Sequence, residues 1–144
     1  MIKSNSNSRS LQILRSANLY RTKCRVAILK VLTTADRPLS HNEIAKRLGK
    51  NHFDKVTIYR TLESFICASL VHKAFLQKKT WHFELADKCT EHQCHPHFTC
   101  TNCNRTHCMT ELSLPMPKSP HKGFIIDHQR IQLEGLCPRC KPGS

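Results

Sequence analysis

The chain has 144 residues, enough for one ordinary domain or two small ones, and small domains bury too little surface to be comfortable without a staple. No apolar run approaches the length needed to span a bilayer and the Ser/Asn-rich start, Met1 to Ser10, lacks the apolar stretch of an export signal, so the expectation is a cytoplasmic protein with no membrane partner. The formal charge of +13 is unevenly placed: residues 1–85 hold 16 Lys/Arg against 5 Asp/Glu and residues 86–144 hold 7 against 5, which points the first half alone toward a polyanion.

Residues 1–10 read as a flexible tail, and residues 11–85 as a domain whose helix boundaries are legible. Thr22 can cap a helix in which Cys24, Ile28 and Val31 follow an i, i+4, i+7 stripe. Ser40-His41-Asn42-Glu43 has the form of a capping box, with Ile44 and Leu48 facing inward before Gly49 ends the helix. Asp54 can cap a third helix that buries Ile58, Leu62, Phe65 and Ile66 and turns Lys55, Tyr59 and Arg60 to solvent. Two alternating runs follow, Val71 to Leu76 and Trp81 to Leu85, joined by Gln77-Lys78-Lys79-Thr80, which is a hairpin with a basic tip. Three helices and a basic hairpin make a winged helix-turn-helix, whose last helix enters a major groove while the wing touches phosphate.

Residues 86–97 break this pattern with a polar stretch crowded with metal ligands, read as a hinge, and residues 98–144 form a second, small domain. There a strand is expected over Thr106 to Met109 and a longer one over Gly123 to Leu133, while Pro115, Pro117 and Pro120 rule out a long helix between them. Nine cysteines, an odd number, two of their pairs in C-x-x-C spacing, and ten histidines argue for metal over disulfides. Cys100/Cys103 and Cys137/Cys140 form two knuckles that together complete a zinc tetrahedron, and with every position filled by protein no water is activated. The site is structural, and the chain reads as no enzyme. A second cluster, Cys89, His92, Cys94, His95 and His97, lies at the hinge with Glu84 and Cys108 nearby in sequence, and there an exchangeable regulatory metal is expected. In an extended segment His95 and His97 project to the same side.

These residues resemble the ferric uptake regulator (Fur) family. Leu14 to Arg25 resembles its opening helix and turn, and Val56-Thr57-Ile58-Tyr59-Arg60-Thr61-Leu62 its recognition helix. His95-Pro96-His97-Phe98-Thr99-Cys100-Thr101-Asn102-Cys103 is similar to its H-x-H-x-x-C-x-x-C signature, and Gly135 to Cys140 to its closing knuckle. The resemblance, over about residues 11 to 141, implies an α+β fold: an N-terminal winged helix followed by a small α/β dimerisation domain with a four-cysteine zinc site. It further implies a homodimer on a palindromic double-stranded DNA operator, repressing metal-homeostasis genes when a regulatory metal is bound, with no small organic ligand.

Carried over position by position, Tyr59 and Arg60 look like the DNA-contacting pair; Lys55 and Thr57 on the same helix and Lys78 and Lys79 on the wing complete the DNA-binding candidates. The regulatory candidates are Glu84, Cys89, His92, His95, His97 and Cys108, of which Glu84 matches a hinge ligand of iron-type members and Cys89 a cysteine of some zinc-type members. Cys108 falls where most members supply Asp or Glu. Thiolates favour zinc over the harder ferrous ion, so Zn2+ is expected in the regulatory site as well as the structural one, with Fe2+ as the alternative. Family members usually carry Gly near Ser69. Peroxide-sensing members use a histidine near the start of a helix where this chain has Arg37-Pro38, with His41 close by. A hydrolase or deaminase is the competing reading from another class; His95-Pro96-His97 lacks the glutamate of H-x-E, and His82-Phe83-Glu84 lacks a following P-C-x-x-C. A metal buffer would leave the +11 of the first half without a purpose.

Overall fold

The structure, a computed structural model, describes residues 3–50, 53–89, 93–118 and 121–143. The chain divides into two units, residues 1–86 and 87–144, so the ligand-rich segment expected as a separate hinge belongs with the second unit. Among the described residues no helix is long and apolar enough to cross a membrane.

In the first unit the order is α1 (Lys3–Ser16), α2 (Lys23–Thr34), β1 (Leu39–Ser40), α3 (His41–Leu48), α4 (Lys55–Cys67), β2 (Val71–Gln77) and β3 (Thr80–Leu85). Helix α1 corrects the expectation of a flexible tail, because residues 3–10 are its first turns. Its anchor is Leu14, which is 1% exposed and belongs to the core with Ile28, Leu29 and Ile58. Once that residue is buried, each preceding residue needs only propagation to join the helix, a much smaller cost than nucleation. The other helices start at the expected caps. Thr22 Oγ1 accepts from Arg25 N–H at 3.2 Å, and Asp54 Oδ1 accepts from Thr57 N–H at 2.8 Å.

Two helix ends depend on left-handed residues. Ser69, at φ 56°, lets Leu70 N–H reach Phe65 O at 2.9 Å while Ser69 N–H bonds Ile66 O at 3.0 Å. Asn18, at φ 56°, ends α1 by the same pair of bonds. A glycine would suit the Ser69 position better than any residue with a Cβ. The hairpin is tighter than the sequence pattern suggests: β2 and β3 pair from Val71↔Leu85 to Gln77↔Thr80, and Lys78 and Lys79 form a two-residue turn with φ of 47° and 61°. A bulge between Lys73 and Phe75 lies inside this ladder, and β1 joins the other edge of β3 to give the order β1-β3-β2.

The second unit holds β4 (His97–Cys100), β5 (Thr106–Cys108) and β6 (Gln132–Gly135) in the order β5-β4-β6, β4 antiparallel to β5 and parallel to β6. The long strand expected over Gly123 to Leu133 is not formed. In place of a ladder, residues 124–131 show the bridge Gln93↔Gln129, the bond from His97 N–H to Ile131 O at 3.1 Å and the contact of His128 with Cys94. The alternation that suggested a strand leaves Phe124 and Ile125 65% and 88% exposed. Between Met109 and Gly123 the described residues contain no helix, only turns, one closed by Leu112 N–H to Met109 O at 3.0 Å and another by Phe124 N–H to His121 O at 2.9 Å.

The capping box of α3 carries a strongly shifted carboxylate, Glu43. Glu43 N–H bonds Ser40 Oγ, Glu43 Oε2 accepts from Ser40 N–H at 2.8 Å, and Arg37 Nη2 donates to Glu43 Oε1 at 2.6 Å. Burial works against the charge, but Arg37 and both donors of Ser40 outweigh it and hold the Glu43 carboxyl at about 2, below its ordinary 4.5. A depressed carboxyl stabilises the fold above about 4.5 and loses that contribution as pH falls toward about 2. With the side chain 33% exposed, screening reduces the effect, and Glu43→Gln should cost about 0.5–1 kcal/mol at neutral pH. Urea denaturation of both proteins should show that difference at neutral pH and its decline through the acid window; a difference independent of pH would contradict the assignment.

Candidate metal centres and nucleic-acid interface

The four knuckle cysteines converge at the end of β4. Cys100 closes that strand, and Asn104, at φ 57°, folds the chain back so that Asn104 N–H reaches Cys100 O and Cys100 N–H reaches Arg105 O, each at 2.9 Å. The second knuckle turns through Cys140 N–H to Cys137 O at 2.9 Å. All four sulfurs lie within 4.8 Å of one another, and Cys103 Sγ is 3.9 Å from Cys137 Sγ. A tetrahedral zinc with Zn–S bonds of about 2.3 Å needs sulfurs about 3.8 Å apart, so the donor set fits the ion.

Backbone N–H groups of Cys103 and Cys137 lower the Cys100 thiol to about 6, against the desolvation that opposes its charge. Asn102 favours the thiolate of Cys140 too, but Cys137 and the other neighbouring sulfurs outweigh it and push that thiol up to about 11. Four sulfurs this close cannot all ionise without a cation between them.

A second group lies at the opposite end of β4. His97 pairs with Cys108 across the β4/β5 ladder, and His95, His97 and Cys108 each offer a donor atom within 4.8 Å of the others. The rings of His95 and His97 are 4.5 Å apart between centroids, and His97 is buried. Cys89 Sγ lies 4.0 Å from His95 Nδ1. Of the other expected regulatory ligands, Glu84 is carried by β3 in the first unit, where its Oε1 meets His72 Nε2 at 2.9 Å, and His92 lies outside the described residues. Sequence reasoning missed the contact of Cys94 with His128, whose Nε2 is 3.1 Å from Cys94 Sγ. The remaining cysteines stand apart: Cys24 is buried in the helical core, where desolvation raises its thiol, and Cys67 is exposed at the end of α4.

The expected DNA-facing residues lie on one exposed surface of α4. Burial of Ile58, Thr61, Leu62 and Phe65 leaves Lys55, Tyr59 and Arg60 outward, and Thr57 is half-buried with its hydroxyl on Asp54 Oδ2 at 2.6 Å. Lys78 and Lys79 are exposed at the wing tip. His41 adds to this surface, its Nε2 3.1 Å from Lys55 O and its ring 6.3 Å from that of Tyr59. Its sequence signal was its place directly after the Ser40 cap, at the first position of α3. Arg21, Lys23, Lys30 and Arg47 also line a groove of about 690 Å³ along α2 in the same unit.

The model of the ferric uptake regulator family matches residues 16–133. The chain is 29% identical to the ferric uptake regulation protein of Bordetella parapertussis, over 90% of this chain and 95% of that one. It is 27% identical to the transcriptional regulator FurA of Mycobacterium bovis, over 88% of this chain and 86% of that one. Among solved structures, a zinc uptake regulator complexed with zinc and DNA superposes with a TM-score of 0.64 at 19% identity, covering 96% of this chain and 95% of that one. The ferric uptake regulator of Pseudomonas aeruginosa with manganese gives 0.62 at 24%, covering 90% and 98%. At those identities the likeness establishes the fold.

Cobalt(II) offers a direct reading of the four-thiolate geometry. Added to reduced, metal-free protein, it should produce the intense visible bands and sulfur-to-metal charge transfer of a tetrahedral thiolate site, and Cys140→Ala should shift and weaken both. A pale, six-coordinate cobalt spectrum would contradict the site.

Proposed function

Because the chain belongs to the ferric uptake regulator family, metal-responsive transcriptional regulators and not enzymes, we propose that it is a zinc-dependent repressor of metal-homeostasis genes. In this reading a homodimer binds a palindromic operator when a regulatory zinc is present. The observation that carries the choice of metal is a thiol in the donor set: Cys108 faces His97 across the ladder, beside His95, and this reading adds Cys89, 4.0 Å from His95 Nδ1, as the further ligand. Two thiolates with two imidazoles suit zinc, whereas ferrous sites draw more on carboxylate. The bound zinc would neutralise the thiolates and fix the segment that follows the first unit. Differential binding of the ion to two arrangements of the protein is what couples metal to DNA.

The chain's own residues supply the rest. Tyr59 and Arg60 are placed to meet base edges and the backbone from α4, while Lys55, Lys78 and Lys79 neutralise phosphates. All five belong to residues 1–85, the part of the chain that carries +11 of the net +13. Support for the homodimer comes from Phe124, Ile125 and Leu136, apolar side chains that one copy of the second unit leaves exposed. A relative described as complexed with zinc and DNA is compatible with this reading. The second reading, a ferrous-iron sensor, is favoured by the likeness to the ferric uptake regulation protein of Bordetella parapertussis at 29% identity.

The test is a fluorescence-anisotropy titration of operator DNA, selected from random sequence, with zinc and with ferrous iron in parallel. Zinc should raise affinity, His97→Ala should abolish the zinc response, and Arg60→Ala should weaken binding by about 1–3 kcal/mol without changing the metal dependence. Affinity should fall steeply with salt, with a log-log slope of about −0.9 for each phosphate neutralised. Metal-free protein binding equally tightly would refute the sensor, and a response to iron alone would transfer the assignment to the second reading.

A further inference from the structure

Cys89 has two partners within reach. On one side its sulfur is 4.0 Å from His95 Nδ1, and on the other it lies within 4.8 Å of Cys94 Sγ. Cys89 is half-buried, so a small solute reaches it, while Cys94 is 1% exposed and held against His128 at 3.1 Å. The nine cysteines contain no disulfide in this structure. The two sulfurs are five positions apart in sequence, and rotation about one Cα–Cβ bond can cover much of the gap to an S–S bond of about 2.05 Å. An accessible thiol beside a buried second thiol is the arrangement in which an oxidised sulfur is captured before it is oxidised further.

We propose that Cys89 and Cys94 form a peroxide-oxidisable dithiol, and that the disulfide and a bound zinc exclude each other because both need Cys89. The exclusion rests on the zinc site proposed above; the disulfide does not. In the first step the Cys89 thiolate attacks hydrogen peroxide, an S–O bond forms, the O–O bond breaks and hydroxide leaves. The sulfur loses two electrons to become a sulfenic acid, and the peroxide gains them. In the second step the Cys94 thiol attacks that sulfur, the S–S bond forms, the S–O bond breaks, and hydroxide departs with the thiol proton as water. Two thiols and one peroxide thus give one disulfide and two waters. Oxidation would remove one thiolate from the regulatory donor set while leaving the four knuckle cysteines in place.

The experiment uses the full chain with its knuckle zinc retained and the second site emptied by a weak chelator. After exposure to hydrogen peroxide, remaining thiols are alkylated, disulfides are reduced, new thiols take a second label, and fragment-ion mass spectrometry assigns each cysteine. Cys89 and Cys94 should take the second label together and Cys67 the first. In Cys94→Ser the disulfide should be lost and Cys89 should be trapped as a dimedone adduct. Cys89 and Cys94 staying reduced while Cys100, Cys103, Cys137 and Cys140 oxidise would overturn the dithiol, as would a Cys89 that pairs with another cysteine. Repeating the oxidation in saturating zinc should slow disulfide formation about tenfold or more. An unchanged rate in zinc would overturn the exclusion, and the zinc dependence of DNA binding would still be judged by its own titration.

Discussion

Four thiol sulfurs within 4.8 Å of one another are an unfavourable arrangement unless a cation lies among them, and the second unit is built around that arrangement. Among its described residues the strands are three short ones, of four, three and four residues. Such a sheet buries too little apolar surface to offset the entropy of ordering its loops. A metal ion held by the knuckles, zinc in the reading proposed above, would supply the missing free energy by binding only the folded chain.

The same constraint sets where the regulatory ligands lie. Strand β4 is held at Cys100 by the knuckles and flanked on both edges, by β5 through Thr99↔Thr106 and by β6 through Thr99↔Glu134. Its other end is His97, placed against Cys108 by the same antiparallel register. One strand therefore connects a closed four-sulfur site to a mixed sulfur and nitrogen site. The two donor sets differ in kind and in what they can do. The first consists of protein sulfur alone, while the second draws on residues that follow the winged helix directly in sequence. Cys89 and His95 both come within ten residues of Leu85, the end of β3.

Much of this was legible in the sequence because it is local. Thr22, Ser40 and Asp54 cap the helices they precede through bonds reaching only three residues, and the knuckle turns close within four or five residues. The inward stripe of α4 left its basic and aromatic residues exposed, since helical period alone decides that face. The readings that failed depend on distant partners. Polar residues 3–10 gave no sign of helix because the anchor is Leu14 and the core it enters. Alternation over residues 124–131 suggested a strand, but a ladder needs a neighbour, and the single bridge to Gln93 does not supply one along the run. Cys94 and His128 are 34 positions apart, and no local pattern joins them.

If the knuckle zinc holds β4, it also makes the second metal site possible. Zinc titration of the reduced, metal-free chain, followed by native mass spectrometry, tests this dependence directly when Cys137→Ser is run beside it. The expected result is a tight first ion and a weaker second ion that binds only after it, with the variant losing the second site along with the first. A variant that kept the second site at full affinity, with His95, His97 and Cys108 still binding zinc, would contradict that dependence.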